Sequence, residues 1–136
     1  MYKLSNYNFD FNKNRLNILL LCRYDLYNAS TVVDHIDSFS KYSEHNIYVL
    51  SLFGDFPVDF DLDRFDAIIF HYSITIALHS YLPIKSRKAI KDFDGMKILF
   101  IQDEYRFQNK TLSAIHELGI KVLFTCVPEN EIEKIY

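Results

Sequence analysis

The densest chemistry in the chain lies in Gln102-Asp103-Glu104-Tyr105-Arg106, directly after the apolar run MKILFI. Two adjacent carboxylates at the end of a buried strand suit a general base, a metal ligand or an acceptor for sugar hydroxyls. A plainer alternative has Asp103 capping the following turn while Glu104 pairs with Arg106 on the surface. His71 follows Ile68-Ile69-Phe70 and precedes Tyr72 and Ser73. A histidine there can serve as acid, base or hydrogen-bond donor near neutral pH, or sit in the core against a backbone carbonyl. Arg23 emerges from LNILLLC and can grip an anionic group with both arms of its guanidinium, unless it pairs with Asp25 or Glu104. Asn28 follows in the same loop.

Two other clusters fail as metal sites. In DFPVDFDLDRFD, Asp59, Asp61 and Asp63 alternate, but position twelve of a calcium loop is Phe70 rather than Glu and no turn glycine is present. The alternating Phe56, Val58, Phe60 and Leu62 suggest an extended connection with one buried face. His35, His45, His79 and His116 lack ligand spacing and are expected on helix or loop surfaces.

The elements that must position these groups are legible as apolar blocks. Residues 16–24, 47–53, 66–73, 96–105 and 121–128 are solid apolar runs of strand length, as in a parallel sheet covered on both faces. Between them, 30–43 carries Val32, Val33, Ile36 and Phe39 at helical spacing behind Ser30 as an N-cap candidate. A helical stretch over 74–93 is interrupted by Pro83, and 109–118 is a helix stopped by Gly119. Pro128 opens a last helical segment, ENEIEKIY. The pattern predicts a three-layer, doubly wound α/β fold with a mainly parallel sheet of about five strands. Function then gathers at the carboxyl ends of the strands, where every candidate above lies.

Composition narrows the classes. The chain has 136 residues, 18 acidic and 15 basic, for a net charge of −3, which argues against a nucleic-acid footprint. Only Gly54, Gly95 and Gly119 are glycines, too few and too scattered for a Walker loop or a dinucleotide fingerprint. Cys22 and Cys126 sit in apolar runs and are expected to be small buried hydrophobes. No signal peptide or membrane-length run is present, so a cytoplasmic protein without a cofactor of its own is the expectation. Residues 1–15 form an irregular leader, whose Tyr2, Tyr7, Phe9 and Phe11 are expected to pack against the domain or a partner. The rest, 16–136, is one domain whose short last helix suggests a fragment of a longer protein.

The run NILLLCRYDLYNASTVVDHIDSF, followed by FDAIIFHYS, KILFIQDEYR and VLFTCVPE, resembles the N-terminal half of bacterial glycosyltransferases of the two-Rossmann-domain (type B) fold. That resemblance covers residues 16–136. It implies an acceptor-side domain facing a C-terminal domain that binds the nucleotide-sugar donor, with the acceptor, a glycan or another molecule, in the cleft between them. Carried over by position, His71, Asp103 and Glu104 are its catalytic candidates. Arg23, Asn28, Tyr72, Gln102, Tyr105 and Arg106 are its binding candidates. Members often have a glycine-rich turn after the first strand; here that turn is RYDLYNAS, which puts donor-phosphate contacts from this half in doubt. The rival is a stand-alone flavodoxin-like or receiver-like binding or signalling domain.

Overall fold

The computed structural model of the chain describes residues 14–25 and 27–136. Five strands, β1 (Asn17–Cys22), β2 (Asn46–Ser51), β3 (Ala67–Phe70), β4 (Met96–Phe100) and β5 (Val122–Phe124), form one sheet in the order β2-β1-β3-β4-β5. Every pairing is parallel, with Leu19 opposite Tyr48 on one side and Ile68 on the other. The fold is therefore the expected doubly wound α/β sheet, and among the described residues it is parallel throughout. The aromatic leader falls almost wholly outside the described residues.

Helices α1 (Ser30–Tyr42), α2 (Ile84–Asp92), α3 (Gln108–Leu118) and α4 (Glu129–Ile135) complete the fold. Alternation along the strands splits the core in two. Leu19, Leu21, Leu50, Ile68, Phe70 and Leu99 pack with Ile90 of α2 and with Ala114 and Leu118 of α3. Ile18, Leu20, Cys22, Val49 and Ile69 pack on the opposite face with Ile36 of α1. β1 and β3 are buried at every position, as strands flanked on both edges and covered on both faces must be. Towards β5 the cover thins: Met96, Val122 and Phe124 are exposed, and Phe124 stacks on Phe100 with ring centroids 4.4 Å apart.

Several expectations are corrected. Ser30 is the first helical residue rather than the cap; Ala29 holds that position, with no side-chain cap. The helix expected from 74 begins only at Ile84, with Pro83 as its N-cap. Residues 74–82 form turns instead, pinned by the buried Ile74, Ile76 and Leu82. The apolar pattern there is real, but it serves a loop folded back over the sheet end. Val58 is exposed, whereas Phe56 and Phe60 stack on each other at 5.0 Å. Cys126 is exposed because β5 ends at Phe124; Cys22 is fully buried, and burial, then the nearby Asp37, pushes its thiol up to about 12.

Two glycines have specific work. Gly119 takes φ 70°, the left-handed turn that ends α3, where its N–H meets the carbonyl of His116. At Gly95 a Cβ would lie 2.5 Å from the backbone oxygen of Asp66 and 2.2 Å from the Phe93 ring. Gly95→Ala should therefore destabilise the chain by about 1–3 kcal/mol, since the backbone cannot yield as a side chain would. Urea unfolding checks this; an unchanged midpoint would show that the β3–β4 corner is looser than its contacts indicate.

Candidate functional site

The sheet order reverses direction between β1 and β3, the place where open α/β sheets commonly bind ligands. A pocket of about 240 Å³ lies one strand further along, between the loops after β3 and β4. Tyr72, Tyr81, Gln102, Asp103, Arg106 and Thr111 supply its polar lining, with Ser73 and Thr75 beside them. Ile74, Ile76, Leu99, Phe100, Ile101 and Phe107 form the apolar remainder. The structure thus brings four of the nine sequence candidates together in one cavity: Tyr72, Gln102, Asp103 and Arg106.

The wall after β4 is built by strained backbone. Asp103 (φ 58°) and Phe107 (φ 56°) both take the left-handed conformation, which costs of order 1 kcal/mol or more for a residue with a Cβ. Between them the N–H of Arg106 donates to the carbonyl of Asp103 at 2.9 Å. Asp103 therefore does close the turn, through its main chain rather than its carboxylate. Among the described residues neither Asp103 nor Arg106 forms an ion pair; the Arg106 guanidinium lies 5.6 Å from the Phe107 ring. A carboxylate, a guanidinium and an amide thus line one small cavity without being consumed by one another.

Glu104 turns away from this cavity and ties the end of β4 to the loop after β5. Its Oε1 accepts from the Thr125 hydroxyl at 2.5 Å and from the Cys126 N–H at 3.0 Å. Burial alone would raise its pKa, but these bonds and its own N–H hold the carboxyl below its usual range. The alternative Glu104–Arg106 pair does not form. Tyr105 is 82% exposed and outside the pocket.

His71 is fully buried at the end of β3, and it is satisfied by the Ser73 main-chain N–H and hydroxyl and by His35 rather than by a backbone carbonyl. Its Nδ1 accepts from the N–H of Ser73 at 3.0 Å and lies 2.8 Å from the Ser73 hydroxyl, and its Nε2 is 2.9 Å from Nδ1 of His35. Burial, then the neighbouring His35 ring, pushes its pKa down to about 3, so the ring is neutral near pH 7. With both nitrogens engaged, it has no lone pair to offer a substrate. His35, expected on a surface, instead packs across the layer from α1.

Arg23 and Asn28 belong to the loop after β1. Asn28 Nδ2 donates to the carbonyl of Arg23 at 2.8 Å, and its own N–H meets the Asp25 carbonyl, so Asn28 shapes the turn. The Arg23 N–H donates to the Ser73 hydroxyl oxygen, while its guanidinium covers the Phe53 ring at 4.6 Å; neither Asp25 nor Glu104 is its ion-pair partner. Neither residue lines the pocket. Among the described residues no group of three or more His, Cys, Asp or Glu side chains could hold a metal ion, and no helix is long and apolar enough to cross a membrane.

No protein-family model matches the chain, and no curated protein sequence matches it.

Proposed function

We propose that the chain is the acceptor-side domain of a glycosyltransferase, acting with a separate donor-binding domain that holds the nucleotide sugar. The observation that carries this reading is the β3–β4 pocket, whose Asp103, Arg106 and Gln102, in no ion pair among the described residues, stand beside the Tyr72 and Tyr81 rings. Aromatic faces and hydrogen-bonding groups of both polarities are what a sugar ring, apolar on its faces and hydroxylated at its rim, requires. At about 240 Å³ the cavity is smaller than the roughly 300–1,000 Å³ of drug-sized sites, and suits a single monosaccharide unit. The loop after β1, with no glycine, supplies no phosphate cradle, consistent with a donor held elsewhere.

Of the three catalytic candidates, Asp103 alone lines the pocket, and it takes the role of accepting the proton of an attacking hydroxyl. Glu104 holds the β5 loop in place, and His71 supports the wall behind Tyr72. Titrating the 136-residue chain with glucose, galactose, N-acetylglucosamine and UDP-glucose tests the reading by NMR. At least one free sugar should shift the signals of Tyr72, Gln102 and Arg106, and Gln102→Ala should weaken that binding by about tenfold. UDP-glucose should bind no better than the free sugar. Tight binding of the sugar nucleotide by this chain alone would overturn the assignment.

The strand order β2-β1-β3-β4-β5 favours one second reading, since flavodoxin-like and receiver-like domains share it. Receiver chemistry would need an acidic cluster after β1, an Asp after β3 and a Lys after β5. Those places hold Arg23-Tyr24-Asp25, His71 and Thr125-Cys126. Phosphorylation by acetyl phosphate, or a copurifying flavin, would restore that reading.

A further inference from the structure

We propose that His35 is a positioning residue for the pocket: paired with His71 in a single tautomer, it fixes the ring of Tyr72 as the pocket wall. That Tyr72 meets a sugar rests on the reading above; the pairing itself does not.

The tautomer follows from the hydrogen bonds. The main-chain N–H of Ser73 can only donate, so Nδ1 of His71 must accept it. The Ser73 hydroxyl oxygen already accepts the N–H of Arg23 at 2.9 Å, which leaves its hydrogen free to point at the same Nδ1. The single proton of the neutral His71 ring therefore sits on Nε2 and is donated to Nδ1 of His35 at 2.9 Å. Neutral His35 then carries its own proton on Nε2. A chain of donors runs in one direction from the β1 loop, through the buried end of β3, to helix α1.

Tyr72 rests on this pair. Its ring centroid lies 4.0 Å from that of His71 and 5.3 Å from that of His35, the latter nearly parallel at 19°. His35 is wedged in turn against Phe39 of its own helix and Phe100 of β4, at 5.1 and 5.4 Å. Tyr72 thus has two imidazoles behind it and the pocket before it.

Protonation breaks the arrangement. A proton on Nδ1 of His35 would oppose the Nε2–H of His71, and His71 cannot change tautomer without opposing the N–H of Ser73. The groups packed against His35 offer an imidazolium little: His71 and Tyr72 from the end of β3, Phe100 from β4, and on α1 Phe39 with the exposed Asp34 and Asp37. No carboxylate hydrogen-bonds either ring among the described residues. Burial lowers the pKa of His35 from 6.5, so the pair is intact at neutral pH and opens only below it.

NMR of the 136-residue chain provides the test, with His35→Phe keeping a ring against Tyr72 but no acceptor, and His35→Asn keeping an acceptor near Nδ1 but no ring. In the wild type the His71 Nε2 proton should be visible. The Tyr72 ring signals should move on acidification from about pH 7.5 to about pH 5, with the same midpoint as His35, below 6.5. In both variants that midpoint should vanish from Tyr72, and the sugar bound best by the wild type should bind about fivefold more weakly. Urea unfolding at neutral pH confirms that each variant is folded. Tyr72 signals that ignore both pH and His35 would overturn the inference, even where Gln102→Ala abolishes sugar binding and the pocket assignment stands. Tyr72 signals that follow His35 in a chain binding no sugar would uphold the pairing and remove the acceptor reading.

Discussion

Acidifying the chain from pH 7 to pH 5 is expected to lower its unfolding free energy by about 2 kcal/mol, because the unfolded chain takes up a proton that His71 refuses when folded. Unfolded, a histidine titrates near 6.5; folded, burial and the His35 ring hold His71 at about 3. Between those values the unfolded state binds more protons, so stability is complete above about 6.5 and is lost as the pH falls towards 3. Each unit in that window costs about 1.4 kcal/mol. The carboxylates held below their usual range, Glu104 and Glu117 among them, titrate further down and leave the interval from 5 to 7 to His71, with His35 beside it. Urea unfolding at several pH values measures the slope. His71→Gln, which can accept from Ser73 and donate to His35 without titrating, should flatten most of it. Equal slopes in wild type and variant would mean that His71 is reached by solvent in the folded chain.

Arg87 carries the other large effect. It is 96% buried in residue terms, with 4% of its surface exposed, at the junction of α2, α3 and the loop after β3. Its Nε and Nη2 donate to the Glu117 carboxylate, the shorter at 2.6 Å, and its Nη1 donates to the carbonyl of Ile76 at 2.7 Å. The Glu117 side chain is 45% exposed, so water takes over its hydrogen bonds once Arg87 is gone, whereas the Ile76 carbonyl loses a charged donor in the interior. Arg87→Met, which keeps the stem but not the charge, should cost about 3 kcal/mol, and Glu117→Gln less than about 1 kcal/mol. Thermal or urea unfolding of the two variants decides it. Equal costs would show that the ion pair, rather than the carbonyl, is what Arg87 serves. Ile76 lines the pocket, so the arginine variant should also loosen that wall.

What the sequence made legible was whatever local pattern determines. Solid apolar runs gave the five strands, and the Val32, Ile36, Phe39 spacing gave α1, because burial on both faces of a strand and on one stripe of a helix leaves no freedom of pattern. The order of the strands was not legible, since a crossover helix can land on either side of β1. Nor was the loop over 74–82, where apolar residues at helix-like spacing pack as turns around buried side chains. At the site, Tyr72, Gln102, Asp103 and Arg106 meet because β3 and β4 are neighbours. Glu104 and His71 turn elsewhere because their partners, Thr125 and His35, lie 21 and 36 residues away in sequence. His35 had one overlooked signal: it lies three residues after Val32 and four before Phe39, on the edge of the stripe that α1 buries.

The thinning of the sheet towards β5 sets an order in time. β1 and β3 are sealed on both faces and between paired neighbours, so their amides exchange with solvent only when the whole domain opens. β5 has three residues, two exposed side chains and, among the described residues, one strand neighbour, with Glu104 fastening its far end through Thr125 and Cys126. Its unfastening is a local event, cheaper than unfolding. Glu104, one of the two carboxylates that the sequence offers for catalysis, therefore governs how often one edge of the sheet comes loose while the rest stays shut.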